Sequence, residues 1–152
     1  MKALVIYDSV YGNTEKIARA IGNAIAPSAE VKVLKASEAN PSELTSIDLL
    51  IVGAPTHGGR PTPPVQDFLN KVPKLAPGIE AAAFDTRISR KIVGVFGYAA
   101  GRIADNLKKK GATLVASPEG FLVTGGQGPL KEGELERAAN WAKGILQGKK
   151  QS

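Results

Sequence analysis

A chain of 152 residues with 43% hydrophobic content can close one continuous core and is too short to suggest a second domain. It has no cysteine and a single histidine, which excludes disulfides, thiolate nucleophiles, cysteine-ligated zinc and iron–sulfur clusters, so any redox chemistry needs a borrowed organic cofactor. The net charge of +6 is dispersed except at Lys108-Lys109-Lys110 and Lys149-Lys150, and only 5% of residues are aromatic, so the lysines read as solvated helix ends and no nucleic-acid partner is expected.

Short β-rich apolar runs alternate with stretches of helical periodicity. This predicts an α/β, doubly wound fold, a five-stranded parallel sheet with helices on both faces. Lys2 to Tyr7 reads as a buried first strand; its apolar run is too short to span a bilayer and carries no signal-peptide flanks, which predicts a cytoplasmic protein without membrane insertion. Behind Thr14, residues Ile17, Ala18, Ala20, Ile21, Ala24 and Ile25 recur at helical spacing until Pro27. Val31 to Leu34 alternates apolar residues with lysine, as a strand near an edge would. Asn40-Pro41-Ser42-Glu43 looks like a short helix with proline at its first position.

Asp48 to Val52 reads as a central strand running into the glycine- and proline-rich loop from Gly53 to Pro61. A helix is expected from Pro64 to Val72. Two runs compete for the fourth strand, Ile79 to Thr86 and Lys91 to Gly97; the first is preferred, the second being an irregular excursion. Tyr98 to Lys110 reads as helix, and Thr113 to Val123 as extended with an interruption at Ser117-Pro118. The last helix, Gly133 to Leu146, places Leu135, Ala138, Ala142 and Ile145 on one face. One domain over 1–147 and a frayed tail over 148–152 complete the expectation.

In a doubly wound sheet a ligand sits outside the carboxyl ends of the strands, so the loops after the first, third and fourth strands are the candidates. The first, Asp8 to Glu15, sets hydroxyl and amide side chains and a glycine immediately before a helix. Backbone N–H groups, hydroxyl donors and a helix dipole then converge on one point, which suits a phosphate. Capping by Asn13 or Thr14 alone accounts for one of these residues, but not for Ser9, Gly12 and the other together.

Ser9-Val10-Tyr11-Gly12-Asn13-Thr14 resembles the flavodoxin phosphate loop, Ser/Thr-x-Thr-Gly-x-Thr, in the form with an aromatic third residue found in the flavodoxin modules of flavodiiron proteins. Gly53-Ala54-Pro55-Thr56 is similar to the Gly-Ser-Pro-Thr that opens the second flavin loop of that family. Phe84-Asp85-Thr86-Arg87 stands where flavodoxins have the third, and Gly128 to Leu135 leads into the last helix as in small bacterial members. The resemblance spans essentially the whole domain. It implies a flavodoxin-like electron-transfer protein holding flavin mononucleotide (FMN) non-covalently. Ser9, Gly12, Asn13 and Thr14 would hold the phosphate with Val10 and the backbone N–H of Tyr11, and Pro55, Thr56, His57, Gly58, Gly59, Phe84, Asp85, Thr86 and Arg87 would lie around the ring. No Gly-x-Gly-x-x-Gly turn is present to admit a pyrophosphate.

The chain departs from the family in being basic and in having no Trp or Tyr in the second loop, where His57 stacks on the ring or is simply a solvent-exposed histidine. Phe84 and Trp141 read as core, and Tyr98 as packing against its helix. Arg60, Arg87 and His57 would raise the potential of the reduced flavin. The implied partners are redox proteins, for which the positive charge admits acidic ones. Two further functions stay open: an FMN-dependent NAD(P)H:quinone or dye reductase, and a flavin-free interaction module on the same fold. A receiver domain is set aside because Gly53-Ala54 stands where its acceptor aspartate belongs, and nucleotide hydrolysis because no Gly-x4-Gly-Lys-Ser/Thr is present.

Overall fold

The computed structural model describes residues 1–57, 59–88 and 98–151, without the side chains of 149–151. In chain order the elements are β1 (Lys2–Tyr7), α1 (Asn13–Ile25), β2 (Glu30–Lys35), β3 (Leu49–Pro55), α2 (Pro63–Lys71), β4 (Glu80–Arg87), α3 (Ala99–Lys109), β5 (Thr113–Leu114), β6 (Glu119–Leu122) and α4 (Glu134–Gln151). The strands are parallel in the order β2-β1-β3-β4, with β5 and β6 both lying along the outer edge of β4. They are two halves of one fifth strand. Glu80 faces Thr113 and Phe84 faces Glu119, so four steps on β4 (84 − 80) are matched by six on the edge (119 − 113). Ser117-Pro118 falls in that bulge, where an edge strand tolerates a proline that has no N–H to give the ladder.

Each strand feeds the two sides of the sheet alternately, as a period of two requires. Leu4, Ile6, Leu50, Val52, Ala81 and Ala83 pack with Val65, Phe68 and Leu69 of α2 and Ile103 and Leu107 of α3. Val5, Leu49, Ile51, Ala82 and Phe84 pack on the other side with Ile17, Ile21 and Ile25 of α1 and Ala138, Ala142 and Ile145 of α4. Both faces of the three central strands are therefore buried, which is why these read as unbroken apolar runs. The edge strand β2 instead leaves Lys32 and Lys35 exposed.

The fourth strand is the run expected to take that place, one residue displaced; the competing run, Lys91 to Gly97, lies outside the described residues. The expected helix at Asn40–Glu43 is a 3-10 turn over Pro41–Leu44, with the Asn40 side chain accepting from the Ser42 N–H at 3.1 Å. Leu135 departs from expectation: it is 46% exposed. The inward stripe of α4 begins one residue earlier with buried Glu134, whose carboxylate accepts from Leu122 N–H at 2.7 Å and from Arg137 at 2.8 Å. At 3.6 residues per turn Leu135 shares the angular face of Ala138 and Ala142, but it stands in the first turn of α4 and is exposed there. Trp141 packs edge-on against Phe84 and Phe121, with centroids 6.2 and 6.0 Å away. Phe84 also lies over Gly53 so closely that a Cβ there would come within 2.1 Å of the ring, so the glycine opening the second loop is required by the core beneath it.

Candidate functional site

The carboxyl ends of β1, β3, β4 and β6 border one cleft. Ser9, Val10, Tyr11, Asn13 and Thr14 supply one wall, and Pro55, Thr56 and His57 a second. Thr86, Arg87 and Ile88 enter from the end of β4. Gly12 turns the chain into α1 with φ of 91°, a left-handed conformation that glycine adopts without a side-chain penalty. The hydroxyl that caps α1 is that of Ser9, not a side chain of Asn13 or Thr14: its Oγ accepts from Gly12 N–H at 3.0 Å and from Glu15 N–H at 3.2 Å. The N–H groups of Asn13 and Thr14 have no acceptor among the described residues, and they stand at the positive end of the α1 dipole.

Hydrogen-bond accounting gives the cleft its chemical character. Ser9 Oγ has spent its two lone pairs on the chain's own N–H groups and keeps its proton to donate. Thr56 Oγ1 accepts from Ala99 N–H at 3.0 Å and likewise keeps its O–H. Thr14 Oγ1 and Thr86 Oγ1 are 2.8 Å apart, so one of the two hydroxyl protons is used between them and the other remains. Asn13 donates one Nδ2–H to Gln127 O at 3.2 Å and has a second left. Each of these groups has a donor left over, Ser9 Oγ has no acceptor capacity remaining, and no carboxylate lines the cleft among the described residues. Such an arrangement fits an anion rich in acceptor oxygens, as a phosphate monoester is.

The other proposed residues fall elsewhere. Phe84 and Asp85 belong to β4, each with 0% exposure, and neither lines the cleft; Phe84 is core. Asp85 receives Arg87 through two bonds of 2.7 Å and Ala100 N–H at 2.9 Å. Arg87 does reach the cleft, but its guanidinium is neutralised by that pair and lies flat on the Tyr98 ring, 3.5 Å from the centroid. The expected electrostatic pull of Arg87 on a reduced flavin is therefore largely cancelled at source. His57 is exposed on the cleft, Gly59 is buried outside its lining, and Gly58 lies outside the described residues. Arg60 faces away, into a separate groove.

Sequence reasoning overlooked the segment after β6. Val123 and Gly126 line the cleft, and the neighbouring loop is clamped to the first by the Asn13–Gln127 bond. The signal available was the glycine-rich Thr124-Gly125-Gly126-Gln127-Gly128 directly behind the last strand. Beside the cleft, the buried phenol of Tyr7 has its pKa raised by desolvation and then by the negative charge of Glu15, while Arg19 lowers that of Glu15 through a hydrogen bond. Around the cleft mouth, Val10, Tyr11 and Ile88 are more than half exposed, an apolar rim on an otherwise polar site.

A parallel doubly wound sheet with a donor-rich cleft at its carboxyl edge defines an open α/β domain of the kind that holds ligands outside the strand ends. The chain belongs to the flavodoxin family, whose model matches residues 5–141. Membership implies flavin binding and electron transfer. Among solved structures, it is similar to oxidised flavodoxin 2 from Bacillus cereus, with 26% identity, a TM-score of 0.80 and coverage of 97% of this chain and 99% of the other. Flavodoxin 1 from the same organism gives 23% identity and the same TM-score, over 97% and 98%. Rubredoxin oxygen:oxidoreductase from Desulfovibrio gigas aligns at 22% identity and a TM-score of 0.79; 96% of this chain corresponds to 35% of that one. No curated protein sequence matches. No helix among the described residues is long and apolar enough to cross a membrane.

Proposed function

We propose that this chain binds FMN non-covalently at the cleft and passes electrons between redox partner proteins. The observation that carries the reading is the surplus of donors in the cleft: Ser9, Thr56, the Thr14–Thr86 pair, Asn13 and two unpaired N–H groups of α1. Their target is a single terminal phosphate. The exposed apolar side chains of Val10, Tyr11 and Ile88 at the cleft, together with His57, give a flat aromatic ring a surface to leave water against. When bound, FMN supplies electron acceptance and release in single steps; the chain's own residues fix the phosphate, hold the loops together and limit water at the ring.

FMN is favoured over FAD and over a nicotinamide nucleotide because the first loop addresses one phosphate and has no turn for a pyrophosphate. Releasing the cofactor by heat from purified protein and identifying it chromatographically tests this. FMN in near-stoichiometric yield, or uptake of added FMN by the apoprotein, is the expected result; recovery of FAD alone overturns it.

A further inference from the structure

The segment that follows β6 is held at the cleft by its own chain and by the first loop. Val123 N–H donates to Arg87 O, at the end of β4, at 2.9 Å. Thr124 N–H and Oγ1–H both donate to Pro129 O, at 2.8 and 3.1 Å, and Gly128 N–H donates to Gly125 O at 3.0 Å, so the chain closes on itself. The Asn13 amide of the first loop then donates to Gln127 O at 3.2 Å. Gly128 lies against that same amide with a φ of 97°, and a Cβ there would come within 2.5 Å of Asn13 Nδ2. Glycine at 128 is thus required by the chain itself.

Gly126 has no such internal reason to be glycine. Its φ is not in the left-handed region, and a Cβ built on it meets no protein atom within 4 Å. Yet it lines the cleft, one residue from the carbonyl that the first loop grips. A glycine that neither its backbone nor its neighbours require, in the wall of a ligand cleft, marks a place where a ligand approaches the main chain closely. The N–H groups of Gly125, Gly126 and Gln127, three in succession, have no acceptor among the described residues. Across the Asn13–Gln127 bond stand the unpaired N–H groups of Asn13 and Thr14. Donors from two segments so joined suit one group rich in acceptor oxygens, and a phosphate has more of them than the first loop alone can satisfy.

We propose that residues 124–128 form a further wall of the FMN site, lying against the phosphate held by the first loop, with Gly126 as the position that decides whether the phosphate fits. The proposal rests on the FMN reading above. The N–H groups of Gly125, Gly126 and Gln127 add donors to those of Asn13 and Thr14, and the bare Cα of Gly126 leaves the phosphate its room.

The test is calorimetric titration of the flavin-free full chain with FMN and, separately, with riboflavin, which has the same ring and ribityl chain but no phosphate. Gly126→Leu should weaken FMN at least about tenfold, as a side chain forced into occupied space does, and riboflavin by less than about threefold. Gly126→Ala should weaken FMN by a smaller factor. Thermal melts of the flavin-free proteins separate the ligand from the scaffold. Both Gly126 variants should keep the wild-type Tm, because neither backbone nor space resists the new side chain, whereas Gly128→Ala should lower it. Inorganic phosphate added to the flavin-free wild type should shift the NMR amide signals of Gly125, Gly126 and Gln127 together with those of Asn13 and Thr14. Unchanged FMN affinity in both Gly126 variants, an equal loss for riboflavin, a Tm lowered in Gly126→Ala as far as in Gly128→Ala, or phosphate shifts confined to the first loop would each overturn the proposal while leaving the FMN reading in place. A wild-type chain that binds no FMN overturns that reading, and the proposal with it.

Discussion

Of the helices that begin at the carboxyl edge of the sheet, α1 and α3 are treated in opposite ways. At the start of α3, Ala99 N–H is taken by Thr56 Oγ1 and Ala100 N–H by the buried Asp85 carboxylate, whose own charge is answered by Arg87. That end is closed. At the start of α1, Ser9 takes the N–H groups of Gly12 and Glu15 and leaves those of Asn13 and Thr14 open. Polar residues precede both helices, so residue type alone does not tell a binding site from a structural cap. The difference lies in which donors remain after the chain has satisfied itself.

The strongest way to break this contrast is at the closed end. Asp85→Asn removes the counter-charge of an arginine whose side chain is only 13% exposed, and a stranded charge in such a place costs about 3–5 kcal/mol. Urea unfolding should show a loss of that order, and a second change, Arg87→Met, should recover much of it. A loss below about 1 kcal/mol would mean that the Asp85–Arg87 pair is not structural. At the open end Thr14→Ala should act on the ligand instead. FMN affinity measured by calorimetric titration should fall about ten- to a hundredfold, the worth of a charge-assisted hydrogen bond of roughly 1.5–3 kcal/mol. Because Thr14 also bonds Thr86, a modest loss of stability accompanies it. Unchanged affinity would reduce Thr14 to a brace between β4 and α1.

Most of the fold was legible because parallel strands buried on both faces declare themselves as apolar runs, and because Thr14 to Ile25 keeps a helical period without interruption. The first loop was legible for the same local reason: its hydroxyls, glycine and helix lie side by side in the chain. What the sequence hid was tertiary. Nothing in Phe84-Asp85-Thr86-Arg87 signals that the first two are spoken for by Trp141 and by Ala100 N–H, residues far along the chain. Nor does Leu135 reveal that Glu134 takes the inward position ahead of it, since a buried glutamate is exceptional until Leu122 N–H and Arg137 are seen to hold it.

The basic loops give a smaller effect that sharpens the same distinction. Arg87 is answered by Asp85 and Arg60 lines the outer groove, so neither places an uncompensated charge in the cleft. Arg60→Gln should therefore shift the flavin potential by well under the roughly 59 mV that corresponds to 1.4 kcal/mol on a one-electron couple. Spectroelectrochemical titration at low and moderate salt decides it. A drop as large as that, diminishing as salt is added, would put Arg60 back among the groups that tune the ring.

The smallest expected effect lies just behind the open helix end, in the chain of Tyr7, Glu15 and Arg19. The Glu15 carboxylate is held below its usual range by its bond to Arg19, 2.8 Å away. A carboxylate with a depressed folded pKa stabilises the native state above its unfolded value and loses that contribution as pH falls through the folded value. Tyr7 has the opposite shift: burial first, and the charge of Glu15 second, push its phenol above 10.0. The unfolded phenol then ionises before the folded one, so this group withdraws stability as pH climbs past 10.0. Glu15→Gln acts on both limbs at once. It should remove the acid-side loss, seen as a flatter stability curve below about pH 4.5, and it should lower the Tyr7 titration while leaving it raised, because burial is the larger cause. Ultraviolet titration of phenolate, with Tyr7→Phe as the subtraction reference, reads the second effect directly. An unmoved Tyr7 titration in Glu15→Gln would remove Glu15 from its causes, leaving desolvation and the charge of Glu38, and uncouple the open end of α1 from the strand beneath it.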